Sequence, residues 1–288
     1  MKNSFIWVVG ADGMLGSTLC TFLAKKGIKF ICSTIQEADI CIENQINKFV
    51  ENKRLTHIIN CAAYTQVDLA EKEKAKAFEV NAKAPSYLAK VAKEKKAKFI
   101  HFSTDYVFDG KKMTAYTEED IPSPINVYGE SKLQGEKAVL SEFSSACIIR
   151  TSWLFGRGKN NFVAKMLDLM QKKEKLSIVD DQIGRFTYAQ DLVEATLNLV
   201  DQEGIFHFAN QEQATWYEMV LYLYQKMIAQ GNKLICKNIN PVMSEEFLTI
   251  AKRPSYSILN TSKYENVAKT KARSWRKAVD AFLEDIER

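Results

Sequence analysis

The chain has 288 residues, 46% hydrophobic and 26% charged, which is typical of one large globular domain or two unequal lobes. No apolar run approaches the ~18 residues of a membrane helix, and the N-terminal pattern is that of a strand, not a signal peptide, so we expect a cytoplasmic protein without a membrane partner. The net charge of +5 is not concentrated in basic tracts, so the sequence gives no support for a nucleic-acid partner.

Short apolar runs alternate with longer amphipathic stretches through the first two thirds of the chain. Strands are predicted at FIWVV (5–9), KFICS (29–33), HIINCAA (57–63), KFIHFS (98–103) and SACIIR (145–150). Helices are predicted over 14–27, 42–52 and 76–96, the last interrupted or entered at Pro85, and from about Tyr128. Nearly continuous apolar strands separated by amphipathic helices indicate a parallel sheet covered on both faces. We therefore predict a Rossmann-type, doubly wound α/β fold.

The pattern changes after Arg150. Helices are predicted at 160–172, 215–230 and 273–287, with short strands at 176–179 and 205–209 between them. We predict that residues 1–150 form an NAD(P)-binding domain, and that 151–288 form mainly a smaller, largely helical substrate lobe that returns strands to the main sheet. A ligand cleft is expected between the two parts.

Three glycines, Gly10, Gly13 and Gly16, join the first strand to the first helix. Glycine permits a tight turn and a close approach of the backbone to a pyrophosphate, and the N–H groups at a helix N-terminus attract phosphates. A glycine trio alone is weak evidence. Its position in the first strand–helix unit favours a dinucleotide-binding loop over a simple turn.

The end of the second strand bears on cofactor choice. Many NAD enzymes carry a carboxylate there, about 20 residues after the glycines, to bind the adenosine ribose. Ser33 and Thr34 stand at this position, so we expect NADPH to bind, with NADH as the alternative cofactor. Asp39 either lies near the adenine or caps the following helix, and the sequence does not decide between these roles.

A hydroxyl, a phenol and an ammonium group are predicted to meet near the nicotinamide. Ser103 and Thr104 end a predicted strand, at the sheet edge where ligands bind. Tyr128 precedes Lys132 by four residues, so both side chains leave the same face of a helix. Such pairs also occur on ordinary solvated helices. The nearby hydroxyls and glycine loop favour a catalytic group.

Nine segments carry a resemblance to a known family: GADGMLG, INCAAYTQVDLAE, VNAKAP, STDYVFDG, NVYGESKLQGE, RTSWLFG, NNFV, VDDQIGRFTY and KRPSYSILN. With these, from the first strand to about Asn260, the chain resembles the dTDP-4-dehydrorhamnose reductases of the extended short-chain dehydrogenase/reductase superfamily. The resemblance implies NAD(P)H-dependent reduction of the 4-keto group of dTDP-4-dehydro-L-rhamnose, the last step to dTDP-L-rhamnose for polysaccharide biosynthesis.

The resemblance also implies roles for individual residues. The cofactor would lie along Gly10, Gly13, Met14, Leu15 and Gly16, and its nicotinamide half along Ala62, Ala63 and Tyr64. The catalytic group would be Thr104, Tyr128 and Lys132, of which Tyr128 and Lys132 would also contact the cofactor. The deoxysugar would contact Asp105, Tyr106, Val107 and Trp153, and the nucleotide diphosphate would contact Asn161, Gln182 and Arg253. No metal ligand is implied.

Two residues depart from the family pattern. Asp12 stands where Asn is common, which places a carboxylate near phosphates, and Phe186 replaces a usual proline, which alters the sugar-nucleotide pocket.

The catalytic step itself is expected to use Tyr128 as the proton donor. An ammonium at ~4–5 Å in an effective dielectric of ~20 contributes about 4 kcal/mol, enough to lower the pKa of a phenol from ~10 to ~7. We therefore expect Lys132 to lower the pKa of Tyr128.

Other interpretations remain open at this stage. The six cysteines and three histidines are scattered, so we interpret them as buried thiols and structural side chains and expect no metal site. Trp153 could instead be core, Arg253 a surface charge, and WYEMVLYLYQ (216–225) core of the small lobe. Alternatives in function are another nucleotide-sugar reductase, epimerase or dehydratase, or a non-catalytic NADP-binding regulatory subunit like the methionine adenosyltransferase β-subunits. A homodimer is retained as one candidate assembly.

Overall fold

The structure is a computed structural model that describes residues 4–158 and 161–286. Asn160 and Glu287, at the outer ends of two predicted helices, lie outside the described residues. The strands, in chain order, are β1 (Phe5–Val9), β2 (Lys29–Ser33), β3 (His57–Asn60), β4 (Lys98–Thr104), β5 (Cys147–Thr151), β6 (Leu154–Phe155), β7 (Lys175–Val179), β8 (Ile183–Gly184), β9 (Thr187–Tyr188), β10 (Gly204–His207), β11 (Ala214–Thr215) and β12 (Asn238–Val242).

The helices alternate with these strands through most of the chain. They are α1 (Met14–Lys25), α2 (Glu43–Val50), α3 (Val67–Ala70), α4 (Lys74–Phe78), α5 (Ala84–Glu94), α6 (Val127–Glu142), α7 (Phe162–Met170), α8 (Ala189–Asn198), α9 (Trp216–Ala229), α10 (Ser262–Ala268) and α11 (Trp275–Ile286). None of the helices in the described part of the chain is long and apolar enough to cross a membrane.

In the described residues, six strands form one parallel sheet in the order β2–β1–β3–β4–β5–β10. Side chains alternate between the faces of a strand, so Ile6 and Val8 of β1 pack on one face with Leu19 of α1. Trp7 and Val9 pack on the other face, in the core that contains α2 and α5. The continuous apolar run of β1 thus reflects burial on both sides, and the predicted doubly wound fold is confirmed.

The later part of the chain has a core of its own. Helices α7, α9 and α11 pack together around β7, burying Val163, Met219 and Phe282 among others. The strand predicted at 205–209 is β10, which returns to the main sheet beside β5. Helix α8, which was not predicted from the sequence, packs on the main sheet through Leu192 and Val193. The division of function at residue 150 stays a prediction.

A break in the predicted helix over 76–96 fixes the position of α6. A π-helical turn, Glu79–Lys83, separates α4 from α5, and Pro85 lies in the first turn of α5. Proline has no N–H to donate to the carbonyl four residues earlier, that of Asn81. This carbonyl lies against Gly135 of α6, where an added Cβ would be 2.0 Å from the oxygen. The Asn81 side chain also donates to Ser131 Oγ at 3.0 Å, so α6 is held closely against this break.

Candidate active site

A cavity of about 900 Å³ opens at the carboxyl edge of the main sheet. The loop between β1 and α1, the ends of β2, β3 and β4, and the start of α6 line one side of it. Trp153 and Trp216 line the other side. The strand order changes direction between β1 and β3, which is where open α/β sheets bind ligands.

The glycine loop has the geometry that a dinucleotide requires. Gly10 has φ +74°, and an added Cβ would lie 2.8 Å from the backbone of Ala62. An added Cβ on Gly16 would lie 2.1 Å from the carbonyl oxygen of Gly10. Gly13 is different, because its added Cβ would meet only that same oxygen, at 3.4 Å. Protein packing therefore requires Gly10 and Gly16, whereas a side chain at Gly13 would occupy the cavity.

The N-terminus of α1 is open to this cavity. Gly13 is its N-cap and provides no side-chain hydrogen bond to the first turn, and Met14 and Leu15 also line the cavity. Unpaired N–H groups at a helix start favour a phosphate. The loop thus fits the pyrophosphate of NAD(P)H. Asp12, one of the two departures from the family pattern, also lines this part of the cavity.

The residues at the end of β2 differ from their expected arrangement. The Ser33 hydroxyl accepts a hydrogen bond from Trp7 Nε1 at 2.9 Å in the core, so it does not face the ribose site. Thr34 lines the cavity, and its side chain donates to the carboxylate of Glu37. Glu37 thus folds back onto Thr34 in the turn after β2, but it is not itself among the residues that line the cavity.

Asp39 lines the cavity and also stabilises the turn that follows. Its Oδ1 accepts a hydrogen bond from the backbone N–H of Cys41 at 2.9 Å. Helix α2 begins later, at Glu43, with Ile42 as the N-cap. The carboxylate is therefore at the cavity wall without capping α2.

The segment after β3 separates into cavity-lining and supporting residues. Ala62 and Ala63 line the cavity. The side chain of Tyr64 instead donates to Glu73 at 3.1 Å, outside the cavity-lining set. The backbone of Tyr64 makes two hydrogen bonds with the Asn81 side chain, at 2.8 and 2.9 Å. Tyr64 thus holds the loop that carries the two alanines.

Thr104, Tyr128 and Lys132 all line the cavity, beside the glycine loop. Thr104 ends β4, and its Oγ1 donates to Asp105 Oδ1 at 3.0 Å. Helix α6 begins after Asn126, whose side chain accepts a hydrogen bond from Gly129 N at 2.8 Å. An added Cβ on Gly129 would lie 2.1 Å from the carbonyl oxygen of Tyr106, so glycine lets the first turn of α6 approach the segment that follows β4.

Burial shifts the pKa values of Tyr128 and Lys132. Burial raises the pKa of Tyr128 to about 12, although the side chain of Thr104 acts in the opposite direction. Burial lowers the pKa of Lys132 to about 8, although the Glu136 carboxylate acts to raise it. The ammonium donates to the carbonyl oxygen of Phe102 at 2.6 Å. The expectation that Lys132 lowers the phenol pKa is thus not met, because desolvation dominates.

A buried ion pair lies one turn beyond Lys132. Glu136 accepts hydrogen bonds from Arg150 Nε and Nη2 at 2.8 and 2.7 Å, and both side chains are about 2% exposed. Ser103 also donates to Glu136. This pair was not predicted from the sequence, although Glu136 follows Lys132 by four residues and so shares its helix face. The pair connects α6 to β4 and β5 directly behind the site.

Two of the residues expected to contact the deoxysugar lie beside the catalytic group. Asp105 and Tyr106 line the cavity, and the Tyr106 ring meets the Tyr128 ring edge-on at 5.8 Å between centroids. Burial raises the pKa of Asp105 to about 7, and its Oδ2 is a buried oxygen without a hydrogen-bond partner in the described residues. Burial also raises the pKa of the Tyr106 phenol. Val107, in contrast, is fully buried in a separate core cluster with Phe108.

Two tryptophans form the opposite wall. Trp153 has φ +44°, and its ring stacks on Trp216 with centroids 3.8 Å apart. Gly184 leaves room for the Trp153 ring, since an added Cβ there would lie 2.6 Å from it. Phe186 is fully buried behind the pair, at 4.8 Å from Trp153 and 5.2 Å from Trp216. This second departure from the family pattern thus supports the wall without lining the cavity.

The sequence pattern favours a place for Trp216 in the core of the small lobe, whereas the structure shows that it lines the cavity. Its position follows from a capping box, in which Thr215 is the N-cap of α9 and exchanges hydrogen bonds with Glu218. The sequence TWYE carries this signature. It places Trp216 at the first position of the helix, ahead of the buried Met219 and Val220.

The three residues expected at the nucleotide diphosphate are all held by protein partners. Asn161 lines the cavity and is the N-cap of α7, and its amide donates to Gly156 O at 2.9 Å. Gln182 is not among the lining residues, but it accepts from Trp216 Nε1 at 3.1 Å. Arg253 lies outside the lining as well, in an ion pair with Asp68 at 2.7 Å.

Among the described residues, no group of three or more His, Cys, Asp or Glu side chains is arranged to hold a metal ion.

Comparisons with known proteins agree with this geometry. The sequence profile described as RmlD substrate binding domain matches residues 4–288. A dTDP-4-dehydrorhamnose reductase from Aggregatibacter actinomycetemcomitans is 34% identical over 94% of this chain and 96% of that protein. A dTDP-4-keto-6-deoxy-D-glucose reductase from Streptomyces niveus is 35% identical over 95% of this chain and 94% of that protein. The crystal structure of a dTDP-4-dehydrorhamnose reductase from Bacillus anthracis, in complex with NADP, has a TM-score of 0.92 at 34% identity and covers 98% of this chain and 99% of that chain.

Proposed function

Since the chain belongs to the RmlD substrate binding domain family and so to the dTDP-4-dehydrorhamnose reductases that it resembles, we propose that it reduces the 4-keto group of dTDP-4-dehydro-L-rhamnose to dTDP-L-rhamnose with NADPH or NADH. One observation carries the proposal. Thr104, Tyr128 and Lys132 line the same cavity as the glycine loop, at the carboxyl edge of the sheet. A bound nicotinamide cofactor supplies the hydride, and the protein supplies a proton and holds the sugar.

The protonation states support reduction. With a pKa of about 12, the Tyr128 phenol keeps its proton at neutral pH, as a proton donor to a carbonyl oxygen must. When hydride reaches C4, the phenol O–H bond breaks and its proton goes to the developing alkoxide. The Thr104 hydroxyl orients that oxygen by a hydrogen bond. Lys132, whose ammonium donates to Phe102 O, lines the same cavity, where it would hold the ribose of the nicotinamide.

The same residues argue against dehydration. Removal of water across C5–C6 requires a base to abstract the C5 proton, in addition to the hydride shuttle. Tyr106 stands next to Asp105 in the cavity, and burial raises the pKa of its phenol, so it holds its proton at neutral pH. Asp105 alone cannot supply both an acid and a base.

The test is oxidation of reduced cofactor with enzymatically generated dTDP-4-dehydrorhamnose. We expect one NAD(P)H to be consumed per keto-sugar, and parallel reactions should include dTDP-4-keto-6-deoxy-glucose and GDP- and UDP-linked keto-sugars. The matched control is Tyr87→Phe, a tyrosine on α5 outside the cavity-lining residues, which should keep full activity. Cofactor oxidation with only one of the other keto-sugars would show that this sugar is the substrate. No oxidation with any of them would favour a regulatory subunit.

We propose a nucleotide-diphosphate sugar as the substrate, no nucleic-acid partner, a homodimer as the candidate assembly and the cytoplasm as the location. Light scattering of the purified protein tests the assembly, since a mass near twice the 32.8 kDa of one chain is expected for a dimer. A mass of one chain at working concentrations would contradict it.

A further inference from the structure

The hydroxyl of Thr104 has one proton and two uses for it. Its Oγ1 accepts a hydrogen bond from the backbone N–H of Tyr106 at 3.2 Å and donates to Asp105 Oδ1 at 3.0 Å. A hydroxyl carries one proton and two lone pairs, and an ionised carboxylate can only accept. An ionised Asp105 therefore takes the single proton of Thr104. Reduction needs that same proton on the keto oxygen, so the two uses conflict.

A protonated Asp105 removes this conflict. With the proton on Oδ1, the carboxyl O–H donates to Thr104 Oγ1 across the same 3.0 Å, a distance that suits an O–H···O bond in either direction. Thr104 Oγ1 then accepts from both Asp105 and Tyr106 N, which uses both of its lone pairs. The proton of the Thr104 hydroxyl is left for the cavity, which this residue lines.

The surroundings of Asp105 favour the protonated form. Asp105 is 2% exposed, and its Oδ2 has no hydrogen-bond partner among the described residues. Desolvation disfavours a charged carboxylate and raises the pKa of Asp105 to about 7, although the hydroxyls of Ser257 and Thr104 act to lower it. The charge of Arg253, four residues before Ser257, is offset by Asp68 at 2.7 Å. Both forms of Asp105 are therefore present near neutral pH.

The phenols and the ammonium group around Asp105 titrate at higher pH. Tyr106 lies on the segment after β4 and Tyr128 at the start of α6, and burial raises both pKa values, so both phenols keep their protons. Lys132 lies one turn further along α6, and burial lowers its pKa to about 8. A change of rate through pH 7 therefore reports Asp105, whereas a change above about pH 8 reports Lys132.

We propose that Asp105 is a positioning residue that acts as a neutral acid: it donates to Thr104 Oγ1 and so frees the Thr104 proton to bind the keto oxygen. Asp105 keeps its own proton throughout, and Tyr128 remains the donor of the proton that the product gains. The inference deepens the proposed function and rests on it, because the oxygen concerned is that of the keto-sugar. Ionisation of Asp105 turns the Thr104 proton back to the carboxylate and slows reduction.

The expected effect has a defined size and shape. Loss of one hydrogen-bond donor to a developing oxyanion lowers turnover about 10²–10³-fold. Each pH unit above the pKa leaves about one tenth as much of the acid protonated. At saturating NADPH, we expect kcat/KM for dTDP-4-dehydrorhamnose to be constant up to about pH 7 and to fall about tenfold per pH unit above it.

Three variants test this profile. Asp105→Asn replaces the acid O–H with an amide N–H that donates to Thr104 Oγ1 at every pH, so the fall at pH 7 should disappear and only the fall above about pH 8 should remain. Thr104→Val should lower kcat/KM about 10²–10³-fold at low pH. It should also abolish the fall at pH 7, because Asp105 acts through Thr104. The control, Asp12→Asn, removes another carboxylate of the cavity lining and should keep the wild-type fall at pH 7.

A second measurement needs no turnover. Infrared difference spectra of the protein, taken on either side of pH 7, should show the carbonyl band of a protonated carboxyl that disappears as the pH rises. This band should be missing in Asp105→Asn. It should shift in frequency in Thr104→Val, which removes the hydroxyl that accepts from the acid.

A fall at pH 7 that persists in Asp105→Asn or in Thr104→Val would overturn the inference, and so would a wild-type profile that is flat to pH 8. Failure of the proposed function has a different appearance. If no keto-sugar is reduced at any pH while the infrared band responds as expected, Asp105 is the donor to Thr104 and the reductase is contradicted. Reduction without the infrared band would contradict only the role of Asp105.

Discussion

Trp153 and Trp216 stack with their ring centroids 3.8 Å apart and their planes 16° from parallel. They come from different parts of the chain, one before β6 and the other at the start of α9, and both line the cavity opposite the catalytic group. Stacked indoles form a rigid apolar surface, which suits a sugar ring or a base. This surface is the part of the site that depends most on the later half of the chain.

Loss of Trp216 should weaken substrate binding more than turnover. We expect Trp216→Ala to raise the KM for the nucleotide sugar about tenfold, since an aromatic contact contributes roughly 0.5–1.5 kcal/mol and Trp153 also loses its stacking partner. The value of kcat should change little, because Trp216 is not in the catalytic group. Trp216→Phe should recover most of the affinity. An unchanged KM, with a circular dichroism spectrum like that of the wild type, would contradict a role at the substrate.

Removal of the Tyr128 hydroxyl should stop the proton transfer and leave cofactor binding nearly intact. We expect Tyr128→Phe to lower kcat by about two to four orders of magnitude, the usual range for loss of a general acid. The Kd for NADPH and NADH should stay within about twofold of the wild type. Near-normal turnover would show that another group donates the proton.

The glycine loop allows a comparison of two substitutions of the same size. Gly13→Ala should fold normally, because its Cβ meets only the Gly10 oxygen at 3.4 Å, and it should weaken cofactor binding. Gly10→Ala should destabilise the protein by more than about 1 kcal/mol, because the residue has φ +74° and its Cβ would lie 2.8 Å from Ala62. Thermal unfolding and fluorescence titration distinguish the two effects. Equal loss of stability in both variants would contradict the assignment.

Asp105 should make the protein less stable as the pH rises. Burial raises the pKa of its carboxyl from 3.8 to about 7 in the folded state, so the folded protein favours the protonated form. The stabilisation is complete below the unfolded pKa and is lost as the pH rises through about 7, a difference of roughly 4 kcal/mol. Asp105→Asn should therefore be more stable than the wild type at pH 8, with the difference shrinking toward pH 4.

The measurement for Asp105 is the free energy of unfolding in urea at several pH values. Asp168→Asn is a suitable control, because Asp168 is an exposed carboxylate on α7. It should leave the slope of stability against pH unchanged. A wild-type curve that runs parallel to that of Asp105→Asn would show that Asp105 does not titrate in this range.

Much of the first half of the fold could be predicted from local patterns. The strands β1 and β2 have the predicted bounds, because each is a short apolar run ended by a turn signal. Helix α8 was not predicted, because its sequence mixes polar residues with the buried Leu192 and Val193 and shows no clear apolar stripe. The pattern in α9 was recognised as helical. Its first residue, Trp216, was assigned to the core because periodicity does not show which end of a helix meets a cavity.

The sequence indicated only part of the cavity lining, since the expected residues Tyr64, Val107, Gln182 and Arg253 lie outside it, and it did not indicate the electrostatics of the site. The spacing of Tyr128 and Lys132 placed both side chains at one cavity. The pKa of Tyr128 depends on how much water the surrounding chain excludes, and no pattern of four residues contains that information. The position of Glu37 likewise depends on the turn after β2, in which Thr34 donates two hydrogen bonds to a residue three positions later.

The most direct test of the central claim is the transfer of deuterium from [4-²H]NAD(P)H to dTDP-4-dehydrorhamnose. Reduction moves one hydride to C4 of the sugar, takes one proton from the protein and releases the oxidised cofactor. We expect the product to be dTDP-rhamnose with one deuterium at C4, detected by NMR and mass spectrometry, and this product should be nearly absent with Tyr128→Phe. A dehydrated or epimerised sugar without deuterium, or no reaction despite bound cofactor, would contradict a reductase.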